Sequence, residues 1–262
     1  MKHSRPADIE RTSMAIIAEE LRQRGIQVPP DQEAVVKRVI HTTADFEYAE
    51  NLVFTKNAVS LGVAALRKGT PIVTDTNMAK AGISRPGLEK LGSHVMCFMA
   101  DPAVAQRAEA RGTTRAAAAM EQAAQVCPGA VLAIGNAPTA LFAIARQMER
   151  GQFPAMLIGV PVGFVNVEEA KEQVLALCRR FEVPAILAMG RKGGSGYLQC
   201  LALSGRGYAG SCRTRLAVKR KKQKKKALRV SLVQGILGAF WDDFGTFYTV
   251  KREEKSKIYL AF

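Results

Sequence analysis

The chain has 262 residues, of which 48% are hydrophobic, and it carries a formal net charge of +15. This suffices for one sizeable core, and since no run of about 18 consecutive apolar residues occurs, we expect no membrane-spanning helix. The five cysteines are scattered, odd in number and without a Cys-x-x-Cys pair. That pattern disfavours a disulfide framework or a zinc cluster. The segment after Met1 also has no apolar signal-peptide core. Together, the cysteine pattern and this segment predict a cytoplasmic protein.

The positive charge is concentrated in the last quarter of the chain. Residues 196–262 contain 15 Lys/Arg and 4 Asp/Glu, a net of +11, whereas residues 1–195 contain 23 and 19, a net of +4. We therefore divide the sequence into a main domain at 1–195 and an atypical basic tail at 196–262. The block at 219–226 is almost entirely Lys and Arg, a composition typical of disordered segments.

Three helices are predicted before residue 70. The first, at 8–24, has apolar residues at helical spacing and ends at Gly25. Asp31 is the expected N-cap of the second helix, and 57–68 is predicted to form the third. The second helix presents one apolar face, formed by Val35, Val36, Val39 and Ile40.

From residue 71 onward, short apolar runs alternate with helical patterns. The predicted strands are at 71–74, 95–99, 131–134, 156–160 and 185–189, and the predicted helices between them are at 103–110, 114–125, 139–150 and 167–181. Wholly apolar strands that alternate with helices indicate a parallel sheet covered on both faces. We therefore predict a three-layer α/β/α domain with a mainly parallel five-stranded sheet, whose ligands bind beyond the carboxyl ends of the strands.

His41 follows the apolar face of the second helix and precedes a polar turn. Histidine can give or take a proton near neutral pH, and helix ends beside loops often carry catalytic groups. An ordinary surface or capping histidine is the interpretation that this stretch alone favours, because the sequence shows neither a base partner nor a pocket. His41 is therefore a candidate general acid–base group that this stretch alone does not establish.

The turn at 135–139 follows a predicted strand and opens a helix. Asn136 is placed to cap that helix, and Pro138 suits its first turn. Free amides at a helix N-terminus favour an anion, so the turn is either a cradle for a phosphate or carboxylate or simply a well-capped connection. It has neither the glycine spacing of a dinucleotide-binding turn nor the Lys-Ser/Thr ending of a P-loop.

Several arginines are candidates for binding an anionic ligand. Arg191 lies in a glycine-rich turn at a predicted strand end, where a solvated basic turn is the alternative interpretation. Arg115 opens a helix, where it opposes the helix dipole, and Arg38 lies one turn before His41. There is no Gly-x-Ser-x-Gly nucleophile turn, and no His/Cys cluster has metal-ligand spacing. The residues present suit proton-assisted chemistry on an anionic organic molecule.

Six segments in unbroken order resemble the precorrin-8X methylmutases (precorrin isomerases) of cobalamin biosynthesis. They are 41–46 (His-Thr-Thr-Ala-Asp-Phe), 74–78 (Thr-Asp-Thr-Asn-Met), 112–115 (Gly-Thr-Thr-Arg), 133–141 (Ala-Ile-Gly-Asn-Ala-Pro-Thr-Ala-Leu), 159–165 (Gly-Val-Pro-Val-Gly-Phe-Val) and 190–195 (Gly-Arg-Lys-Gly-Gly-Ser). The resemblance covers about residues 8–195. The residues of the first two segments look more like those of the branch that acts on cobalt-precorrin-8 than those of the branch that acts on metal-free precorrin-8.

The resemblance implies a flavodoxin-like fold, a cytoplasmic homodimer and a tetrapyrrole substrate. The implied reaction moves the methyl group on C-11 of precorrin-8, or of cobalt-precorrin-8, to C-12. It is regarded as a [1,5]-sigmatropic shift that needs no cofactor and no metal site in the protein. By motif position, His41 matches the catalytic histidine. The implied substrate-contacting residues are Ser13, Arg38 and Arg115. We add Thr42, Asn136 and Arg191 as further candidate substrate-binding residues.

The resemblance ends after Ser195, where the family normally continues into a short apolar helix. We interpret 196–262 as a tail without a catalytic role, disordered or produced by a frameshift or read-through. Two other functions fit the residues alone. One is a different anion-binding α/β enzyme, and the other is a nucleic-acid-binding protein acting through its basic tail. The second is disfavoured, because no aromatic residues are interleaved with the basic block.

Overall fold

The structure, a computed structural model, describes residues 6–83, 85–196 and 198. The helices are α1 (Pro6–Gln23), α2 (Glu33–Thr43), α3 (Tyr48–Asn51), α4 (Ala58–Arg67), α5 (Asn77–Gly82), α6 (Arg85–Glu89), α7 (Pro102–Ala110), α8 (Arg115–Val126), α9 (Pro138–Glu149) and α10 (Val167–Arg180). The strands are β1 (Leu52–Phe54), β2 (Ile72–Thr74), β3 (Val95–Met96), β4 (Val131–Ile134), β5 (Met156–Gly159) and β6 (Ala185–Ala188). No helix within these residues is long and apolar enough to cross a membrane.

The six strands form one sheet in the order β1-β6-β5-β4-β2-β3. All neighbours are parallel except β1, which runs antiparallel to β6 at one edge. The five predicted strands are confirmed, and the mainly parallel α/β class with them. The prediction missed β1, because its three residues form an edge strand too short to show a period of its own.

Two apolar cores lie on opposite faces of the sheet. Alternate residues of each strand enter alternate cores, so Val131 and Leu132 of β4 belong to different ones. Buried residues of α1 to α6 pack in the first core, and those of α7 to α10 pack in the second. Within the described residues, helices α1 to α6 therefore cover one face of the sheet and helices α7 to α10 cover the other.

Side-chain caps fix the starts of three helices at sheet edges. Thr76, Asp101 and Thr114 accept hydrogen bonds from Ala79 N, Ala103 N and Ala117 N at 3.1, 2.9 and 3.2 Å. The predicted cap at Asp31 is wrong, since α2 begins after Gln32 without a side-chain cap. There the carbonyl of Pro29 accepts from the amides of residues 32 and 33 at 2.9 and 3.0 Å, so a backbone turn replaces the cap.

The edge strand β1 depends on the hydroxyl of Thr55. This group donates to Val183 O at 3.1 Å and accepts from Ala185 N at 2.7 Å. We expect Thr55→Val to lower the free energy of unfolding by about 1–3 kcal/mol, because it leaves a buried amide without a partner. Urea denaturation measures the loss. Ser60→Ala removes an exposed hydroxyl that bonds only to Asn57 O, and should cost less than about 0.5 kcal/mol; equal losses would contradict this role of Thr55.

Candidate active site

The loops at the carboxyl ends of β2 and β4 are joined by one buried carboxylate. Asp75 is fully buried and accepts hydrogen bonds from Gly135 N at 2.9 Å, Asn136 N at 2.7 Å and Ala137 N at 2.8 Å. Burial raises the pKa of the Asp75 carboxyl, and the three amides act in the opposite direction. The predicted anion cradle at the start of α9 therefore exists, but the protein's own carboxylate occupies it.

Asn136 does not cap α9, contrary to the prediction. The N-cap is Ala137, which has no side-chain cap bond, and the Asn136 side chain is exposed. Asp75 binds the three amides of the turn before the helix, at 135–137, and Ala137 O accepts from Ala140 N at 3.1 Å, so backbone contacts close the start of α9 without a side-chain cap. Asn136 is thereby left at the carboxyl edge of the sheet with its side chain directed to solvent.

The segment 190–195, after β6, is bound closely to the neighbouring loops. Lys171 of α10 is fully buried and donates to Gly190 O at 2.6 Å and Lys192 O at 3.0 Å. A Cβ added at Gly193 would lie 2.3 Å from Pro161 O, so only glycine fits there without a shift of backbone. The buried Ser195 hydroxyl is 3.0 Å from that of Thr76, which ties the segment to the start of α5.

Lys192 connects this segment to the turn that follows α2. Its ammonium group is 2.7 Å from both Asp45 Oδ2 and Glu47 Oε2. The hydrogen bond from Lys192 lowers the pKa of the Asp45 carboxyl, and the two carboxylates raise the pKa of Lys192. The turn after α2 and the loop after β6 are therefore held together by a shared cation.

His41 lies in the last turn of α2, and the helix extends beyond it to Thr43. Ala44 closes the helix in the left-handed region at φ 55°, and its amide donates to Ile40 O at 2.7 Å. Val39 and Ile40 are fully or almost fully buried, whereas the His41 side chain is exposed. The core therefore anchors the turn from which this imidazole projects.

Other predicted site residues surround His41 on α1 and α2. Arg38 pairs with Glu10 at 2.5 Å, and the Arg38 hydrogen bond and charge lower the pKa of the Glu10 carboxyl, with a smaller contribution from His41. Ser13 lies one helical turn from Glu10 and bonds to Ile9 O at 2.9 Å. The structure therefore groups Ser13, Arg38 and His41 on one surface.

Thr42 is exposed next to His41, and its hydroxyl donates to Arg38 O at 3.0 Å. The bond returns to the preceding helical turn, so it fixes the hydroxyl beside the imidazole and does not cap the helix. Thr42 thereby joins the same surface of α1 and α2.

Arg115 lies on the other side of the sheet. It is the first residue of α8, follows the cap Thr114 and is exposed. Thr114 donates its hydroxyl proton to Thr139 Oγ1 at 2.8 Å, which links the starts of α8 and α9. Among the described residues, no hydrogen bond or ion pair joins Arg115 to the group around His41.

Arg191 is exposed at the carboxyl edge, between the two carbonyls that Lys171 binds. Its Nε donates to Glu168 Oε2 at 3.1 Å, and its guanidinium lies 5.8 Å from the centroid of the Phe164 ring. No cluster of three or more His, Cys, Asp or Glu side chains with metal-binding geometry occurs within the described residues.

The internal contacts that hold these loops were not predicted from the sequence. Asp75 was visible only as part of a polar run after a strand, which does not reveal its three amide partners. Lys171 gave a clearer signal. It falls on the apolar stripe of α10, four residues after Val167 and three before Val174, where a charged side chain is buried only if it finds partners.

Fold and site together define a three-layer α/β/α protein whose polar loops gather at the carboxyl edge of its parallel strands. The precorrin-8X methylmutase family model matches residues 8–200. The chain belongs to that family. The match ends slightly beyond the predicted domain boundary at residue 195, and Leu198 is buried in the first core. Apart from residues 196 and 198, the predicted tail lies outside the described residues.

Named relatives and a solved structure agree with the family match. The cobalt-precorrin-8 methylmutase of Priestia megaterium is 37% identical over 216 residues, covering 79% of this chain and 93% of that protein. The cobalt-precorrin-8 methylmutase of Salmonella typhimurium is 40% identical over 194 residues, covering 72% and 89%. The crystal structure of precorrin-8X methylmutase from Thermus thermophilus superposes with a TM-score of 0.68 at 36% identity, covering 77% and 97%. These matches do not support the two alternative functions.

The buried Asp75 carboxylate gives a direct test of how the edge is held. We expect Asp75→Asn to lower the free energy of unfolding by about 3 kcal/mol, because the amide has one oxygen for three buried N–H groups and presents an NH₂ to the others. Chemical denaturation measures the loss. Asp101→Asn is the matched control, since Asp101 accepts one amide at an exposed helix start, where asparagine caps equally well. Similar losses in the two variants would refute this account of Asp75.

Lys171 makes stability depend on pH in the alkaline range. Burial lowers its pKa from 10.5 to about 8. Below pH 8 the lysine is charged in both states. Between pH 8 and 10.5 only the unfolded chain holds the proton, so the unfolded state binds more protons and stability rises with pH. The unfolding free energy of the wild type should rise by up to about 3 kcal/mol relative to Lys171→Met across this window. A constant difference in pH-dependent denaturation curves would contradict the lowered pKa.

Proposed function

We propose that this protein is an isomerase of cobalamin biosynthesis that moves the methyl group on C-11 of precorrin-8, or of cobalt-precorrin-8, to C-12. The C-11–methyl bond breaks and the C-12–methyl bond forms within one molecule, so the reaction consumes no second substrate. The observation that carries this proposal is the family match over residues 8–200. The Priestia and Salmonella relatives are named for the cobalt-containing substrate, which favours that form here.

His41 is proposed to exchange a proton with the conjugated ring as the methyl group migrates. Its support is its position, an exposed imidazole on a helical turn that buried Val39 and Ile40 anchor. The Glu10 carboxylate of α1, which pairs with Arg38, lies near this imidazole. Proton transfer by such a group typically contributes about 10²- to 10⁴-fold in rate.

The arginines are proposed to bind the peripheral carboxylates of the macrocycle. Arg115 is exposed and has no hydrogen-bond or ion-pair partner among the described residues. Arg38 holds the exposed Glu10 carboxylate, which a substrate carboxylate can replace at little cost in solvent. Arg191 binds Glu168 through Nε, so its two terminal nitrogens remain to bind a substrate carboxylate. The polar side chains of Ser13, Thr42 and Asn136 complete the proposed contacts.

A cytoplasmic homodimer is proposed as the working form of the enzyme. The loop after β5 exposes three apolar side chains at the carboxyl edge, with Val162 44%, Phe164 83% and Val165 76% accessible. A cluster of this kind is typical of a surface that another chain covers. Sedimentation of the purified protein tests the dimer, and a monomer at micromolar concentration would contradict it.

Activity is tested by incubating the full chain with precorrin-8 and, separately, with cobalt-precorrin-8. Formation of hydrogenobyrinate or cobyrinate changes the absorption spectrum, so conversion is followed directly. Conversion of one substrate only identifies the metal state that the enzyme accepts. An unchanged spectrum with both substrates would refute the proposed function.

His41→Ala should retain the fold and still bind the tetrapyrrole, because the binding groups remain. Its turnover should fall by about 10²-fold or more, since the group that transfers the proton is lost. Single-turnover absorbance kinetics measure the rate. His94→Asn is the control, since His94 is exposed at the amino end of β3 and its rate should be nearly that of the wild type. Wild-type turnover by His41→Ala would remove His41 from the mechanism.

Arg115→Ala should weaken binding of the macrocycle by about one to two decades, because a charge-assisted hydrogen bond contributes roughly 1.5–3 kcal/mol. An absorbance titration with the corrin product measures the affinity. Arg150→Ala removes an exposed arginine at the opposite end of α9, and should leave binding unchanged. If both variants bind like the wild type, Arg115 does not contact the substrate.

A further inference from the structure

A fully buried lysine lies directly beneath the loop that carries Arg191. The Lys171 side chain has 0% of its surface exposed. Its ammonium group donates to Gly190 O at 2.6 Å and Lys192 O at 3.0 Å. Burying a charged amine is costly unless hydrogen bonds replace those it makes to water. The two carbonyls therefore stabilise the buried ammonium group of Lys171.

Three consecutive carbonyls of the loop are bound in this way. Lys171 takes the first and third, and the amide of Gly163 donates to the middle one, Arg191 O, at 3.3 Å. Gly190 is in the left-handed region at φ 69°, so the chain turns sharply just before Arg191. The backbone that carries the Arg191 side chain is therefore held on both sides.

The same helix also directs the Arg191 side chain. Glu168 lies three residues before Lys171 on α10 and accepts from Arg191 Nε at 3.1 Å. One turn of α10 thus holds the loop backbone through Lys171 and the guanidinium through Glu168. The Lys171 ammonium has no access to solvent, so it cannot meet a ligand itself, and any effect on binding has to pass through the loop.

We propose that Lys171 is a positioning residue for substrate binding, which fixes the loop at 190–192 so that Arg191 presents its guanidinium to a carboxylate of the macrocycle. This inference rests on the proposed function and assigns to α10 a part in recognition. A purely structural lysine would stabilise the fold to the same extent whether or not Arg191 were present.

The test is a double-mutant cycle with Lys171→Met, Arg191→Ala and the double variant in the full chain. Affinity for the corrin product is measured by absorbance titration. Each single variant should bind about tenfold more weakly, as expected for a lost charge-assisted contact. The double variant should bind no more than about threefold more weakly than Arg191→Ala, because coupled residues are not additive. Lys171→Met should also raise KM and leave kcat within about threefold, since His41 is untouched.

Cys178→Ala is the matched control for stability. Cys178 is fully buried on the same helix but packs in the second core, away from the loop. It should lower the melting temperature without changing affinity. Lys171→Gln, which keeps one donor group, should lie between the wild type and Lys171→Met in affinity.

Three results would overturn the proposal. They are independent losses that multiply in the double variant, wild-type affinity in Lys171→Met, or failure of both Lys171 variants to fold, which would make the lysine a determinant of folding. Wild-type conversion of precorrin-8 or its cobalt form is measured first. Absence of that conversion would refute the proposed function, whereas conversion without coupling would refute only the role of Lys171.

Discussion

The carboxylate of Asp75 is completely buried and is bound by three successive amides at the start of α9. This contact joins the ends of β2 and β4, neighbours in the middle of the sheet. A buried charge of this kind is stable only while every partner stays in place, so it fixes the two loops relative to each other. Gly135, the first amide donor, also lies against Ser195, since a Cβ there would be 2.8 Å from the Ser195 Cα. The Asp75 carboxylate thereby sets the position of the segment after β6 as well.

The segment 190–195 extends this arrangement to the rest of the carboxyl edge. Its glycines allow the backbone to approach Pro161 O within a distance that no side chain permits, and Gly194 N donates to Val160 O at 2.8 Å. Lys192 then binds Asp45 and Glu47 in the turn that follows His41. A chain of contacts therefore runs from the central strands to the helix of the candidate catalytic histidine. Precise placement of binding groups in this way is a recognised source of rate enhancement in enzymes that hold a flexible substrate.

The sequence predicted the layers well and the ties between loops poorly, for physical reasons. Strands β4, β5 and β6 are wholly apolar, and β2 is apolar up to Thr74, because both of their faces are buried. Such runs are visible in a single sequence. The edge strand β1 has no such signal, because its pairing depends on Thr55 meeting residues 183 and 185 far along the chain. The capping functions assigned to Asp31 and Asn136 failed for a related reason. Local sequence shows which side chains can cap a helix, but not whether a backbone carbonyl already binds the amides, as Pro29 O does before α2, or at which residue the helix begins, as at α9.

In the candidate site, too, the packing of helices could be predicted from the sequence, whereas the contacts between loops could not. His41, Arg38 and Ser13 are brought together because α1 and α2 pack in one core, which helical periodicity anticipates. Arg115 belongs to α8, whose buried face packs in the other core, so the sheet separates it from His41. Between the two groups lie the loops that Asp75 and Lys171 hold. A macrocycle bound by one chain through both groups would lie across this edge, over Asn136 and Arg191. Its carboxylates would then meet arginines from both helical layers, and the rigidity of the edge would fix the distance between them.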